Sequence, residues 1–178
     1  MPIPTIRPAR ESEVPALEAH IAASARALGP PHYTAAETEA AITHVFGVDS
    51  ELVGDGSYLV AESNGQIMGC GGWSRRTTLF GGDRFAGRQS GFLDPATDAA
   101  RIRAFFVAPA FARQGVGDAL LAACEAAAAA HGFTRTALMA TLPGQPFYAA
   151  RGYVAADAIT LDLGGTPVRF VPMDKRLG

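Results

Sequence analysis

A disulfide framework is out of reach for this chain, because its 178 residues hold only two cysteines, Cys70 and Cys124. Both sit in apolar surroundings, and neither has a C-x-x-C partner or a histidine neighbour. Reduced core thiols are expected, and no metal. Charge of one sign is equally scarce. A net charge of −2 leaves no electrostatic footprint for nucleic acid or for an anionic membrane. The amino-terminal MPIPTIRPARESEV lacks the apolar core of a signal peptide. The most apolar run, Ala119 to Ala130, is alanine-rich, preceded by Asp118 and interrupted by Glu125, so it is no membrane span. The expectation is a cytoplasmic protein with neither nucleic acid nor membrane as partner. What is present, 48% hydrophobic and 18% charged residues, suits one globular domain with a real core.

The order of elements can be read from periodicity and punctuation. Thr5 to Arg7 suits a short strand. Ser12 can cap a helix whose apolar positions Val14, Leu17, Ile21 and Leu28 follow helical spacing, ended by Gly29-Pro30-Pro31. Thr34 and Glu37 form a capping box for a second helix carrying Ile42, Val45 and Phe46, closed by Gly47. A hairpin follows, Tyr58 to Glu62 and Gln66 to Trp73, turned at Asn64-Gly65. Ser74 to Ala99 then has no steady period but four glycines and four arginines, the composition of a lid or an inserted loop. Arg101 to Ala108 reads as a strand and about Gly115 to Ala130 as a helix. Beyond His131-Gly132 come a strand from Arg135 to Ala140 and a short helix from Pro146 to Arg151. A closing hairpin, Tyr153 to Leu163 and Val168 to Lys175, turns at Gly164-Gly165.

The segment Ile102 to Leu121 is the most informative. It joins a buried strand to a helix through Arg113-Gln114-Gly115-Val116-Gly117. The first N–H groups of such a helix lack intrahelical partners and the dipole favours an anion there. A Walker loop is excluded, since no GxxxxGK precedes Ser or Thr. A dinucleotide fingerprint is excluded because Leu120 stands at the third glycine position. Two readings stay open from the residues alone, a phosphate cradle and a plain strand-to-helix turn with glycines for packing.

In this order of elements, the segment resembles the acetyl-CoA-binding segment of the GNAT N-acetyltransferase superfamily, and the likeness spans nearly the whole chain. The family's phosphate loop, (Arg/Gln)-x-x-Gly-x-(Gly/Ala), is matched at Gly115 and Gly117. Its leading position falls on Ala112, with Arg113 one place later. A second landmark, Phe147-Tyr148 followed by Gly152-Tyr153, is similar to the family's carboxy-terminal segment; the asparagine often found before it is missing, with Thr141 nearby. The resemblance implies an α/β (α+β) fold, a mixed and mostly antiparallel sheet of about six to seven strands flanked by about four helices. Residues 1–178 would form a single acetyltransferase domain with an insertion at about 74–99.

The implied activity is transfer of an acetyl group from acetyl-CoA to a primary amine of a small molecule by direct attack, without a metal. The implied cofactor residues are Phe105, Phe106 and Val107 for the pantetheine arm, if neighbouring strands splay, and Arg113, Gln114, Gly115, Val116, Gly117 and Asp118 for the pyrophosphate. Tyr148 would protonate the departing thiolate, since a phenol is protonated at neutral pH. No glutamate stands on the fourth strand. With period two, Arg101, Arg103, Phe105 and Val107 share a face. The base is left among Asp94, Asp98, Glu62, His44 and water. Arg103 could grip a substrate carboxylate, or pair with Asp98 or Asp94. Tyr33, with His32, and an aromatic, basic lid at 74–99 would flank the acceptor. A homodimer is the assembly left open. The competing reading is a non-catalytic coenzyme A-binding sensor or partner module; a generic nucleotide-binding α/β protein fits the antiparallel hairpins poorly.

Overall fold

The structure, a computed structural model, describes residues 3–178; residues 1 and 2 of the expected domain lie outside it. Eight strands and five helices follow in the order β1 (Thr5–Pro8), α1 (Val14–Leu28), α2 (Ala35–His44), α3 (Ser50–Asp55), β2 (Tyr58–Ser63), β3 (Gln66–Ser74), β4 (Ala100–Val107), α4 (Val116–Ala130), β5 (Arg135–Thr141), α5 (Gln145–Ala149), β6 (Val154–Ala155), β7 (Ile159–Leu163) and β8 (Thr166–Arg176). The strands form one sheet in the order β1-β2-β3-β4-β5-β8-β6, with β7 also on β8. The mixed, mostly antiparallel architecture is the expected one, with one more strand and one more helix than expected.

Local signals decide most boundaries. The Thr34–Glu37 capping box is reciprocal, Glu37 N–H donating to Thr34 Oγ1 at 3.1 Å and Thr34 N–H to Glu37 Oε2 at 2.9 Å. Asn64 and Gly65 both take positive φ, 51° and 74°, as a tight hairpin requires. Ser12 does not cap α1. It lies inside a 3-10 turn, Glu11–Glu13, and the Glu13 carboxylate accepts from Arg10 N–H at 2.8 Å. The expected strand Tyr153 to Leu163 is split into β6 and β7, which pair with successive stretches of β8.

Two core clusters lie on opposite faces of the sheet. Leu121, Cys124 and Ala128 of α4 pack on Ile102 and Leu138. On the other face, Leu17 and Ile21 of α1 and Leu52 of α3 pack on Tyr58, Val60 and Cys70. α2 covers β8 through Ala41, Val45, Val168 and Phe170.

The register of β3 and β4 carries a correction. Gly72 pairs with Arg103 but Cys70 with Phe106, so Gly71 alone opposes Ala104 and Phe105. This β-bulge places Ala104 at φ 53° and breaks the alternation. Phe105 and Val107 turn to the α4 face, while Ala104 and Phe106 join the core beneath α1. Arg103 therefore does not share their face. The bulge is held from both sides: Tyr58 donates its hydroxyl to Ala104 O at 3.0 Å, and a Cβ on Gly71 would come within 2.3 Å of the Phe105 ring.

Candidate active site

β4 and β5 form the parallel pair, and their register covers only Ala100↔Thr136 and Arg101↔Ala137. Beyond these two pairs the strands separate. The gap opens into a cavity of about 810 Å³, bounded by β4, the start of α4, α5, the α1–α2 connection and part of the 74–99 loop.

At one end stands the N-terminus of α4. Gly115 is its N-cap, at φ 83°, and Arg113 before it also lies in the left-handed region, at φ 60°. The first helical hydrogen bond runs from Ala119 N–H to Gly115 O, at 3.0 Å. The amides of Val116, Gly117 and Asp118 thus have no intrahelical acceptor, which suits an anion. The two glycines differ in their reasons. A Cβ on Gly115 would meet nothing within 4 Å, leaving room for a guest, whereas one on Gly117 would stand 2.9 Å from the Phe147 ring. Packing, then, demands glycine at 117. Asp118 pairs with Arg151, whose guanidinium lies 3.8 Å from the centroid of the Phe147 ring. Gln114 turns its side chain back onto Ala110 O at 3.0 Å.

The β4 edge lines the middle of the cavity through Ala104 to Val107. Two α1 side chains serve its carbonyls: Ser24 Oγ donates to Val107 O at 2.8 Å, and His20 Nε2 lies 2.8 Å from Phe106 O. Sequence reasoning missed both. Their i, i+4 spacing reads as an ordinary helix face, with nothing to mark a partner across the gap. Tyr148, on α5, is buried in the same wall, with Phe147, Tyr153 and Phe105 rings 5.0, 5.7 and 6.2 Å away. Its hydroxyl has no hydrogen-bond partner among the described residues. Burial raises its pKa above the ordinary phenol value, so it stays a donor. Thr141 Oγ1 accepts from Gly144 N–H at 3.0 Å, fixing the turn into α5.

Tyr33 is buried in the cavity wall between α1 and α2. Its hydroxyl donates to Arg169 O at 2.5 Å and accepts from Leu142 N–H at 3.0 Å, tying this connection to the ends of β5 and β8. Burial pushes its phenol up to about 12. Arg103 is only 2% exposed. Its Nη2 donates to Asp49 Oδ2 at 2.9 Å and to Gly81 O at 2.5 Å, and its Nη1 to Thr78 O at 3.2 Å. The ion pair is with Asp49, not Asp94 or Asp98, because Arg103 stands on the face of β4 opposite Ile102, where Asp49 caps α3. Asp49 was hidden in the sequence: it caps a six-residue helix too short, and too rich in glycine around it, to show a period.

None of the four candidate bases lines the cavity. Asp94 and Asp98 close a turn before β4, Asp98 Oδ2 accepting from Asp94 N–H at 2.7 Å. Glu62 pairs with Arg7 at 2.6 Å. His44 lies against Gly164. His32, exposed on the α1–α2 connection, does line it. The 74–99 loop is folded rather than open, Thr77 N–H bonding Gly91 O at 3.1 Å and Leu93 N–H bonding Arg75 O at 2.7 Å. Three of its arginines are paired: Arg76 with Asp55 and Glu51, Arg84 with Glu18, Arg88 with Asp49 and Glu51. Its contribution to the cavity is Phe80, Gly81 and Gly82.

A sheet parted beside an open helix N-terminus defines an α/β fold of the acetyltransferase class. The sequence profile of the Acetyltransferase (GNAT) family matches residues 20–153, and the chain belongs to that family. Among solved structures, it is similar to a GCN5-related N-acetyltransferase from Rhodopseudomonas palustris, at 24% identity over 99% of this chain and 98% of that one, with a TM-score of 0.74. It also resembles the PaiA N-acetyltransferase from Thermoplasma acidophilum in complex with coenzyme A, at 15% identity over 99% of both chains and a TM-score of 0.64. A ribosomal-protein-alanine N-acetyltransferase from Brucella melitensis gives 20% identity over 97% of this chain and 99% of that one, with a TM-score of 0.62. These likenesses establish the fold. No curated protein sequence matches the chain. Among the described residues, no helix is long and apolar enough to cross a membrane.

Proposed function

We propose that this protein is an acetyl-CoA-dependent N-acetyltransferase acting on a primary amine of a small molecule, with residues 1–178 as one catalytic domain. The observation that carries the reading is Tyr148, a buried residue whose hydroxyl has no partner among the described residues, on the wall of a cavity that the first residues of α4 also line. Acetyl-CoA supplies the activated thioester when bound. The amides of Val116, Gly117 and Asp118 hold its pyrophosphate, Gly115 leaves the approach clear, and Arg113 adds a positive charge beside it. The backbone of Phe105 to Val107 lies along the pantetheine path, with Ser24 fixing the Val107 carbonyl.

The amine nitrogen forms a bond to the acetyl carbon as the carbon–sulfur bond breaks. Tyr148 donates its proton toward the leaving sulfur. The proton lost by nitrogen goes to His32, the one imidazole or carboxylate lining the cavity among the described residues that no partner neutralises, since Asp118 is tied to Arg151. Arg103 and Tyr33 support this site from behind, Arg103 by fixing the 74–99 loop and Tyr33 by joining α1–α2 to β5 and β8.

Two measurements test the reading. Coenzyme A at 100 times its Kd should stabilise the fold by about 2.7 kcal/mol. Thiol release from acetyl-CoA in the presence of amines should fall about 100-fold in kcat for Tyr148→Phe, with coenzyme A affinity kept. Tight coenzyme A binding without turnover on any amine would favour the non-catalytic sensor, a reading to which the missing β4 carboxylate lends weight.

A further inference from the structure

The cavity has two chemically unlike ends. Toward α4 stand the free amides, Arg113, Asp118 and Arg151. Toward the α1–α2 connection the wall is Leu28, Val45, Phe46, Phe80, Met139 and Phe170. Leu28, Phe46, Phe80 and Met139 present apolar surface, with the buried Val45 and Phe170 packed behind them. Phe46 and Phe80 lie 6.4 and 5.6 Å from the Phe170 ring, and Phe85 backs Phe80 at 4.8 Å.

What surrounds this end decides which acceptor it can take. The three arginines packed behind this wall, Arg84, Arg88 and Arg103, are spent within the protein. Arg84 turns outward onto Glu18 at 2.8 Å and onto the Ile42 and Phe46 carbonyls, each at 3.0 Å. Arg88 and Arg103 converge on Asp49. The Tyr33 hydroxyl spends its proton on Arg169 O. Among the described residues that line this end, His32 carries the one ionisable group left to a guest. In the lining of this end a second ammonium group on the acceptor would find no carboxylate, and an acceptor carboxylate would find no guanidinium. A charge set against these apolar side chains loses hydration and gains no partner, which is penalised. An aromatic or aliphatic body, by contrast, gains burial and edge-to-face contact with Phe46 and Phe80.

Building on the acetyltransferase reading, we propose that the acceptor is a primary amine carried on an aromatic or aliphatic body with no second charge. Polyamines, aminoglycosides and free amino acids are the classes this wall rejects.

Three matched amines test it on the full chain: phenethylamine, phenylalanine (the same body with a carboxylate) and spermidine (a polycation). Thiol release from acetyl-CoA should give phenethylamine a kcat/KM about 100-fold above the other two. Calorimetry on the coenzyme A-loaded protein should show the same order of affinity. Phe80→Asp should lower kcat/KM for phenethylamine about tenfold or more and improve spermidine relative to it. Phe80→Leu should keep the wild-type preference, and both variants should bind coenzyme A as the wild type does, which shows that they fold. Preference for spermidine or phenylalanine, or an unchanged preference in Phe80→Asp, overturns the acceptor class and leaves the acetyltransferase reading standing. Failure to bind coenzyme A, or to acetylate any amine, overturns that reading and the acceptor class with it.

Discussion

The Arg103 guanidinium and the Asp49 carboxylate meet at 2.9 Å with about 1% of either side chain exposed. They join the central strand to the cap of α3, and through Gly81 O to the loop that walls the cavity. Burial by itself would raise the Asp49 carboxyl. The hydrogen bond from Arg88 and the charges of Arg103 and Arg88 outweigh it and hold the group below its ordinary value. Removing one partner of such a pair leaves the other as a buried, uncompensated charge.

Asp49→Asn is therefore expected to destabilise the fold by about 3–5 kcal/mol. Arg103→Met should cost less, because Asp49 keeps Arg88 at 2.8 Å. Urea denaturation midpoints of the two variants measure the difference. Equal losses would mean that Arg88 does not compensate.

The glycines of the α4 turn make a second contrast. Gly115→Ala meets no neighbour but places a Cβ at φ 83°, a left-handed conformation costing roughly 1–2 kcal/mol. Gly117→Ala has ordinary helical space around its backbone but drives a methyl to 2.9 Å from the Phe147 ring. That overpacking costs about 1–3 kcal/mol and should be relieved by pairing it with Phe147→Leu. The same second substitution should do nothing for Gly115→Ala. A double-mutant cycle by thermal denaturation separates strain from clash.

What the sequence disclosed and what it withheld divide along the range of the interactions. Thr34 with Glu37, Asn64 with Gly65, and the run from Arg113 to Gly117 declare themselves within a few residues, so the elements they start and stop were legible. Tyr148 was legible through its neighbours Phe147 and Gly152. The faces of Phe105 and Val107, parted from that of Arg103, were not. They depend on a bulge whose causes, the Tyr58 hydroxyl on Ala104 O and the missing side chain at Gly71, lie thirty or more positions away. Period-two reasoning has no access to those contacts. The base candidates failed to reach the cavity for a similar reason: Glu62 was committed to Arg7 across the β1–β2 pair, and Asp94 and Asp98 to each other's turn.

Acid should unfold the protein partly through Glu13. Its hydrogen bond from Arg7, at 2.6 Å, lowers the carboxyl from an ordinary 4.5 to about 2. A depressed carboxylate contributes stability that is complete above its unfolded pKa and is lost as pH falls through the folded one. The window is thus pH 4.5 down to about 2. Across it, the urea midpoint of the wild type should fall more steeply than that of Glu13→Gln, and near pH 2 the two curves should converge. Parallel curves would remove Glu13 from the acid response.

His32 tests the proton path. It is exposed on the α1–α2 connection and lines the apolar end of the cavity, while Asp118 is held by Arg151 at the other end. A residue that only shapes the wall would change KM for the amine when replaced. One that removes a proton should change kcat, and added imidazole should restore part of the loss. His32→Gln is expected to lower kcat about 100-fold with phenethylamine as acceptor and to leave coenzyme A affinity unchanged. Partial recovery in millimolar imidazole would distinguish proton transfer from packing, because imidazole replaces the lost base but none of the lost wall. An unchanged kcat would send the proton to solvent instead.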